Sequence, residues 1–261
     1  HWSPPLDVLV SPQGGARMPD LAITPGGMLH AVWSTVGSNS DLMYANAPAC
    51  CADDARNWSE PVWLGAPVNL TSALVADDAG RLHAAFASQE RDTIVYRRSD
   101  DGGVTWPVWV DILGEAYQDD EYPGYPRLAV DGRGRVHAVW TVMPWPGRRV
   151  AYARSDDGGD NWNVRRVIDS VDRGTYWQGF GPVFIDVETH GEDEVHLIWD
   201  GAPTVERHHI WSSDGGDSWS APQILIPELT GVGRQGWNDM VVDSADTLHV
   251  IALGSPWHAS W

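Results

Sequence analysis

One segment of the 261-residue sequence combines side chains that suit the recognition of a metal ion or a sugar. Residues 117–122 place Asp119, Asp120, Glu121 and Tyr122 in succession. Carboxylate oxygens are ligands for Ca²⁺, and they also accept hydrogen bonds from sugar hydroxyl groups. The segment therefore predicts a calcium or sugar site. An acidic, solvated loop is the alternative that the composition leaves open.

Three further segments, residues 143–148, 173–178 and 227–237, carry aromatic side chains, and arginines or amides lie among them. Aromatic faces stack on the C–H side of sugar rings, while arginine and amide groups bond to the hydroxyls. Because several such segments are present, we expect a ligand-binding face built from loops. The binding candidates in these segments are Trp145, Arg148, Tyr176, Trp177 and Trp237.

The composition excludes several function classes. The chain carries 36 acidic and 17 basic residues, for a net charge of -19 and a pI near 4.6. Such a surface repels phosphate backbones, so we expect no nucleic-acid partner. All 17 basic residues are arginine, which excludes lysine-dependent catalysis and P-loop chemistry. No run of eighteen apolar residues is present, so no membrane insertion is expected.

A short phrase with a central histidine recurs along the whole chain. It reads Leu-His-Ala, Val-His-Ala, Val-His-Leu or Leu-His-Val, and Gly, Asp or Asn residues precede it. Such β-rich runs after turn residues predict strands. For the third repeat we expect strands at roughly residues 127–130, 136–142, 149–154 and 164–168. The histidines, spaced 53, 54, 59 and 53 residues apart, are His30, His83, His137, His196 and His249.

A second phrase, Ser-x-Asp-x-Gly-x-x-Trp, follows three of these strand pairs. Aspartate accepts hydrogen bonds from turn amides, glycine adopts positive φ angles, and tryptophan covers the turn with apolar surface. The phrase therefore predicts a tight hairpin turn. Its residues are Ser99, Asp101, Gly103, Trp106, then Ser155, Asp157, Gly159, Trp162, then Ser212, Asp214, Gly216 and Trp219.

This second phrase resembles the Asp-box, also called the BNR repeat, of sialidase-like β-propellers. The resemblance extends over essentially the whole chain and implies an all-β fold of four-stranded antiparallel blades around an axis. It places each Asp-box between the third and fourth strands of a blade, on the periphery. The Asp-box residues are then structural, and the loops over the axis carry function.

Five repeat units are visible, and two arrangements fit them. In the first, an N-terminal strand completes a fifth blade, because the first residues, His-Trp-Ser-Pro-Pro, resemble the end of an Asp-box. Alternatively, the chain is part of a six- or seven-bladed ring. In either case we expect residues 1–261 to form one propeller domain, incomplete at both ends in the second arrangement.

The five histidines do not predict a metal site. Equivalent positions of successive blades lie far apart around a ring, so the side chains cannot converge on one ion. We expect each histidine to bond to a neighbouring blade or to the backbone. We expect no cofactor, apart from the calcium that the acidic loop is able to hold.

Resemblance to sialidases implies specific catalytic residues. The family's first arginine lies in an Arg-Ile-Pro motif that Arg17 and the two residues after it resemble, and Asp41 stands where the acid/base is expected. Arg127 and Arg234 are candidates for the other two carboxylate-binding arginines. Tyr176 is the last tyrosine of the chain and the candidate nucleophile, but it has no nearby glutamate to activate it.

The sequence thus favours an extracytoplasmic, bacterial propeller that binds a glycan or a protein on its loop face. The alternative is an exo-sialidase or a related glycoside hydrolase. A larger extracellular assembly that contains this chain also fits the repeat architecture. The incomplete catalytic set favours binding over cleavage, since a fold by itself does not confer an activity.

Overall fold

Five antiparallel β-sheets follow one another along the chain in a computed structural model. The structure describes residues 11, 14–36, 40–65, 68–88, 93–113, 122–142, 148–163, 166–171, 184–200, 207–226, 238–243, 245, 247–252 and 258–260. Sheet 1 consists of β1 (Ala16–Ile23), β2 (Met28–Thr35), β3 (Leu42–Pro48) and β4 (Val62–Gly65), with two 3₁₀ turns (Ala49–Cys51 and Ala55–Asn57) between β3 and β4.

The next three sheets repeat the four-stranded order of sheet 1. Sheet 2 consists of β5 (Val68–Ala76), β6 (Leu82–Ser88), β7 (Thr93–Ser99) and β8 (Val108–Asp111). Sheet 3 consists of β9 (Pro123–Val130), β10 (Val136–Val142), β11 (Arg148–Ser155) and β12 (Arg166–Val171). Sheet 4 consists of β13 (Ile185–His190), β14 (Glu194–Asp200), β15 (Arg207–Ser212) and β16 (Gln223–Ile226).

Sheet 5 has three strands in the described part of the chain, β17 (Asn238–Val242), β18 (Leu248–Ala252) and β19 (His258–Ser260). The N-terminal strand predicted to complete this sheet falls within residues 1–10, outside the described residues. All strand pairs within the five sheets are antiparallel neighbours in sequence, as the repeat predicts. Among the described residues, no helix has the length and apolar character needed to cross a membrane.

The first strand of each sheet packs against the first strand of the next sheet. These inner strands, in order of contact, are β1, β5, β9, β13 and β17. The interfaces between successive sheets are filled with apolar side chains, such as Leu74 and Phe86 between sheets 1 and 2 and Trp140 between sheets 2 and 3. Burial of apolar surface between neighbouring sheets therefore holds this propeller-like array together.

Each repeated histidine bonds within its own sheet. His83 Nδ1 lies 2.7 Å from the Tyr96 hydroxyl, and His83 Nε2 lies 3.4 Å from Asp77 Oδ2. The tyrosine, not the histidine, crosses to the next sheet, where Tyr96 donates to the Gly158 carbonyl at 3.2 Å. The prediction that the histidine itself bonds to the backbone or to a neighbouring sheet is therefore wrong. In sheet 2 the Tyr96 hydroxyl lies between the His83 ring and the Gly158 carbonyl of sheet 3.

The three Ser-x-Asp turns, residues 99–106, 155–162 and 212–219, join the third and fourth strands of sheets 2, 3 and 4. In the first turn, Asp101 Oδ1 accepts hydrogen bonds from the Ser99 hydroxyl and the Thr105 amide, both at 2.8 Å. The Ser99 hydroxyl oxygen accepts from the Gly103 amide at 2.8 Å. The serine and aspartate therefore satisfy turn amides, which is the structural role expected from their chemistry.

Two adjacent glycines of the first turn distinguish the cost of a positive φ angle from the cost of a steric clash. Gly102 and Gly103 have φ angles of +70° and +91°, which L-residues adopt at a cost of about 1–2 kcal/mol. A Cβ on Gly102 meets no described atom within 4 Å, whereas a Cβ on Gly103 collides with the Tyr44 ring and hydroxyl. We expect Gly103→Ala to lower the free energy of unfolding by about 1–3 kcal/mol more than Gly102→Ala does, which is the typical cost of overpacking.

Urea unfolding followed by far-UV circular dichroism measures this difference. Gly102→Ala serves as the matched control, since both substitutions add one methyl group at positive φ in the same turn. Equal losses for the two variants would contradict the close approach of Tyr44 to the turn.

Candidate functional site

A cavity of about 590 Å³ is bordered by the inner strands of all five sheets. We call it the central cavity. Its lining comes from residues 18–21, 71–75, 127–128, 186–188 and 238–240. This volume lies within the range of small-molecule binding sites.

Each inner strand contributes one residue at an equivalent level of the central cavity. In every sheet this residue lies ten positions before the repeated histidine. Its backbone partner in the second strand of the same sheet is always the residue twelve positions later in the sequence. The shared register places these five side chains around the same space. In chain order they are Asp20, Ala73, Arg127, Asp186 and Asp239.

Two of these aspartates bind the backbone of the following inner strand. Asp20 Oδ2 accepts a hydrogen bond from the Leu74 amide at 2.9 Å, and Asp186 Oδ2 accepts one from the Met240 amide at 2.7 Å. Asp20 Oδ1 also accepts from the Leu21 amide at 2.9 Å. A carboxylate has about four acceptor positions, so both groups keep capacity to accept further hydrogen bonds.

Arg127, a predicted carboxylate-binding arginine, lies in the central cavity beside an aspartate. Its Nε is 3.9 Å from Asp186 Oδ1, and its side chain is 23% exposed. One of its terminal nitrogens donates to the Pro126 carbonyl at 3.2 Å. The Arg127 charge therefore offsets part of the acidic charge around it.

Burial changes the ionisation of the carboxyl groups in the cavity wall. Desolvation raises the pKa of Asp186 well above its usual value, although the Arg127 charge opposes the shift. Desolvation likewise raises the pKa of Asp20, against the Leu74 hydrogen bond and the Arg127 charge. Burial raises the pKa of Glu188 to about 7. A carboxyl group with a pKa near 7, such as that of Glu188, gains or loses its proton around neutral pH and can then donate or accept a hydrogen bond.

Removing the Glu188 charge is expected to stabilise the protein at high pH. Because the pKa rises from 4.5 in the unfolded chain to about 7 in the folded one, the folded state loses stability as the pH rises between these values. At 1.36 kcal/mol per pKa unit, we expect Glu188→Gln to be more stable than wild type by about 2–3 kcal/mol at pH 8. Near pH 4 the difference should be small.

Urea unfolding at the two pH values measures this effect. The exposed Glu60 provides the matched control, since Glu60→Gln removes the same charge outside the cavity. A gain from Glu188→Gln that is equal at both pH values would show that the carboxyl group is not desolvated.

Arg17 and Asp41, the candidates from the sialidase resemblance, lie near the ends of strands in sheet 1. An Arg17 terminal nitrogen donates to the Ser40 hydroxyl at 3.3 Å, and Arg17 Nε is buried with no hydrogen-bond partner among the described residues. Asp41 is 8% exposed, and its Oδ1 accepts from Trp63 Nε1 at 3.2 Å. The side chains are thus held by Ser40 and Trp63.

The inner strands β1 and β9 share an irregularity at equivalent positions. Met18 and Tyr125 have φ angles of +51° and +53°, and the pairing register shifts at both sites. A proline follows each of these residues. Backbone strain of this kind clusters at functional sites, but it also occurs in bulges that re-aim a strand. In both strands the residue two positions further along, Asp20 or Arg127, lines the cavity.

Most of the loop candidates lie outside the described residues. Tyr122 is described, and the residue is 56% exposed. Arg148 begins β11, but its side chain is not described. The candidates that fall outside the described residues are Asp119, Asp120, Glu121, Trp145, Tyr176, Trp177, Arg234 and Trp237.

Sequence reasoning missed four acidic residues of the cavity and a buried arginine. Arg207, which opens β15, is 1% exposed, and its Nε donates to Asn238 Oδ1. Asn238 Nδ2 in turn donates to the Phe184 carbonyl at 2.8 Å, so the amide is fixed at the cavity wall. No motif marks Arg207. The four acidic residues are Asp20, Asp186, Glu188 and Asp239. All except Glu188 carry a signal in the sequence, because they lie ten positions before a repeated histidine.

No family model and no curated protein matches the sequence. Solved structures do match its fold. A Hadza microbial sialidase is 14% identical with a TM-score of 0.60, over 90% of this chain and 52% of that protein. The NanB sialidase of Streptococcus pneumoniae is 10% identical with a TM-score of 0.62, over 94% of this chain and 58% of that protein.

An α-L-arabinofuranosidase from Fusarium graminearum is also similar, at 15% identity and a TM-score of 0.60, over 91% of this chain and 72% of that enzyme. The chain spans about half of the length of the two sialidases. At these identities the likeness establishes the fold alone. The chain therefore has an all-β, propeller-like fold that is also found in carbohydrate-acting enzymes.

Proposed function

We propose that this chain is a glycan-binding module of the sialidase-like, Asp-box propeller type. The observation that carries the proposal is the central cavity, in which carboxyl groups, an arginine and an amide converge from the inner strands. Polar groups that converge in a cavity with apolar walls are typical of small-ligand sites. The carbohydrate-acting proteins among the fold neighbours support a sugar as the ligand.

A binding role fits the described residues better than a hydrolytic one. Retaining glycosidases need an acid/base and a nucleophile held close together. Asp41 is engaged with the Trp63 indole, and the candidate nucleophile Tyr176 has no neighbouring glutamate in the sequence. We therefore propose that a glycan or protein ligand binds on the loop face and above the central cavity. We also propose an extracytoplasmic, bacterial location and a place in a larger extracellular assembly.

A second candidate function is hydrolysis by an exo-sialidase or a related glycoside hydrolase. Arg17 favours it, because its Nε is buried and lacks a hydrogen-bond partner among the described residues. A buried donor without a partner is a group that a ligand carboxylate would satisfy. In this mechanism Arg17, Arg127 and Arg234 bind the substrate carboxylate, Asp41 is the acid/base, and Tyr176 is the nucleophile.

Ligand-observed NMR distinguishes the two functions. The protein is mixed with a small set of glycans that includes sialyllactose and is followed for several hours. We expect saturation transfer to a glycan and no release of free sialic acid. Release that Asp41→Asn abolishes, and that the exposed control Asp53→Asn leaves unchanged, would replace binding with hydrolysis. No signal from any glycan would contradict the proposal.

A further inference from the structure

We propose that the central cavity is the ligand site itself and that it selects sugars without negative charge. This inference rests on the proposed glycan-binding function and specifies the place and the class of ligand. It concerns the space between the inner strands rather than the loop candidates that the composition predicts.

The first observation is a pair of unused hydroxyl groups in the cavity wall. Thr71 and Ser72 of β5 line the cavity and are only 2% and 3% exposed. The Oγ atom of each is buried and has no hydrogen-bond partner among the described residues. A buried polar group without a partner is destabilising, and a hydrogen bond to a ligand hydroxyl in the cavity would relieve this cost.

The second observation is the charge of the wall. Four carboxyl groups line the cavity, and Arg127 is the one cation among the described lining residues. Arg127 already lies beside Asp186 and donates to a backbone carbonyl. An anionic sugar would therefore add a further carboxylate to a space that already holds four carboxyl groups and, among the described lining residues, no unengaged cation. The burial that opposes the ionisation of Asp186 and Glu188 would oppose this added charge as well.

The shape and apolar parts of the wall also suit a sugar rather than a single ion. Leu74, Leu128, Val187 and Met240 line the cavity between the polar side chains, and they offer contacts for the C–H faces of a ring. Within the described residues, no three His, Cys, Asp or Glu side chains are grouped closely enough to hold one metal ion. The acidic groups are instead distributed around a wide cavity, as hydroxyl partners would be.

Isothermal titration calorimetry with a panel of free sugars tests the inference. The probes are lactose, maltose and xylobiose as neutral sugars, glucosamine as a cationic sugar, and glucuronic acid and sialic acid as anionic sugars. We expect a neutral or cationic sugar to bind at least about tenfold more tightly than either acid, since about 1.4 kcal/mol corresponds to tenfold. The double variant Thr71→Val/Ser72→Ala should weaken this binding by about fivefold or more.

Two variants keep the outcome interpretable. Thr105→Val makes the same side-chain change on an exposed turn and should leave binding unchanged. Asp239 is exposed at the cavity, so Asp239→Asn should fold normally and reduce the discrimination against glucuronic acid. Circular dichroism verifies that each variant is folded.

Each outcome bears on the inference separately from the proposed function. Tight binding of an acid, or neutral-sugar binding that the double variant does not change, would overturn the central site while leaving the glycan-binding function intact. If no sugar in the panel binds, both the inference and the proposed function are wrong.

Discussion

Replacement of Trp106 by alanine is expected to lower the free energy of unfolding by about 3–5 kcal/mol. The Trp106 side chain is 6% exposed and lies between sheets 1 and 2, with its ring edge-on to Tyr44 at a centroid distance of 5.3 Å. Its indole nitrogen donates to the Gly103 carbonyl at 3.2 Å. The substitution removes this hydrogen bond and creates a large cavity between the sheets.

Urea unfolding followed by far-UV circular dichroism provides the measurement. Val104→Ala in the same turn is the control, because Val104 is 76% exposed and should change stability little. Trp162 and Trp219 hold the equivalent positions in the next two turns but are only partly buried, so their replacement should cost less. A loss below 1 kcal/mol for Trp106→Ala would mean that the tryptophan does not hold the two sheets together.

Replacement of Asp131 by asparagine is expected to cost a similar amount, about 3–5 kcal/mol, because it breaks a buried ion pair with Arg135 and the bond between the same carboxylate and the buried His137 ring. Asp131 Oδ2 lies 3.1 Å from His137 Nε2 and 2.6 Å from Arg135 Nε. Burial alone would raise the pKa of Asp131, but hydrogen bonds from His137 and Arg135 hold it below its usual value. The carboxylate is therefore ionised in the folded protein.

The pH dependence follows from the direction of this shift. Because the folded pKa lies below the ordinary value of 3.8, the stabilisation by Asp131 is complete above that pH and is lost as the pH falls. The difference between wild type and Asp131→Asn should thus be largest near pH 7 and shrink in acid. Asp243, which pairs with His249 at 2.8 Å and is far less buried than Asp131, is the matched control. An equal loss for Asp243→Asn would contradict the role of burial.

The strands and turns could be predicted from the sequence because their signals are local. In the third repeat, the strand expected at residues 136–142 is β10, and the strand expected at 164–168 is found at Arg166–Val171. Turn residues, β-branched runs and a fixed spacing determine these elements over a few residues. The largest differences are at the start of β9 and at both ends of β12, which lie beside loops in which this local signal is weak. Each end of β11 differs by one residue.

The central cavity could not be predicted in the same way. Its equivalent positions hold three aspartates, an alanine and an arginine, so no motif repeats there. Their one common feature is that each lies ten residues before a repeated histidine. This spacing indicates a shared site only when the inner strands are known to surround one cavity. The loop candidates rest on composition alone, and composition does not determine which loops lie over the cavity.

A titration followed by backbone amide chemical shifts tests the central claim most directly. The titrant is a neutral sugar that binds in the calorimetric panel. The account predicts that the largest changes occur at cavity residues of several sheets, namely Thr71, Ser72, Arg127, Asp186 and Glu188. Changes confined to Arg17 and Asp41, or to the Ser-x-Asp turns, would place the ligand elsewhere and contradict the account.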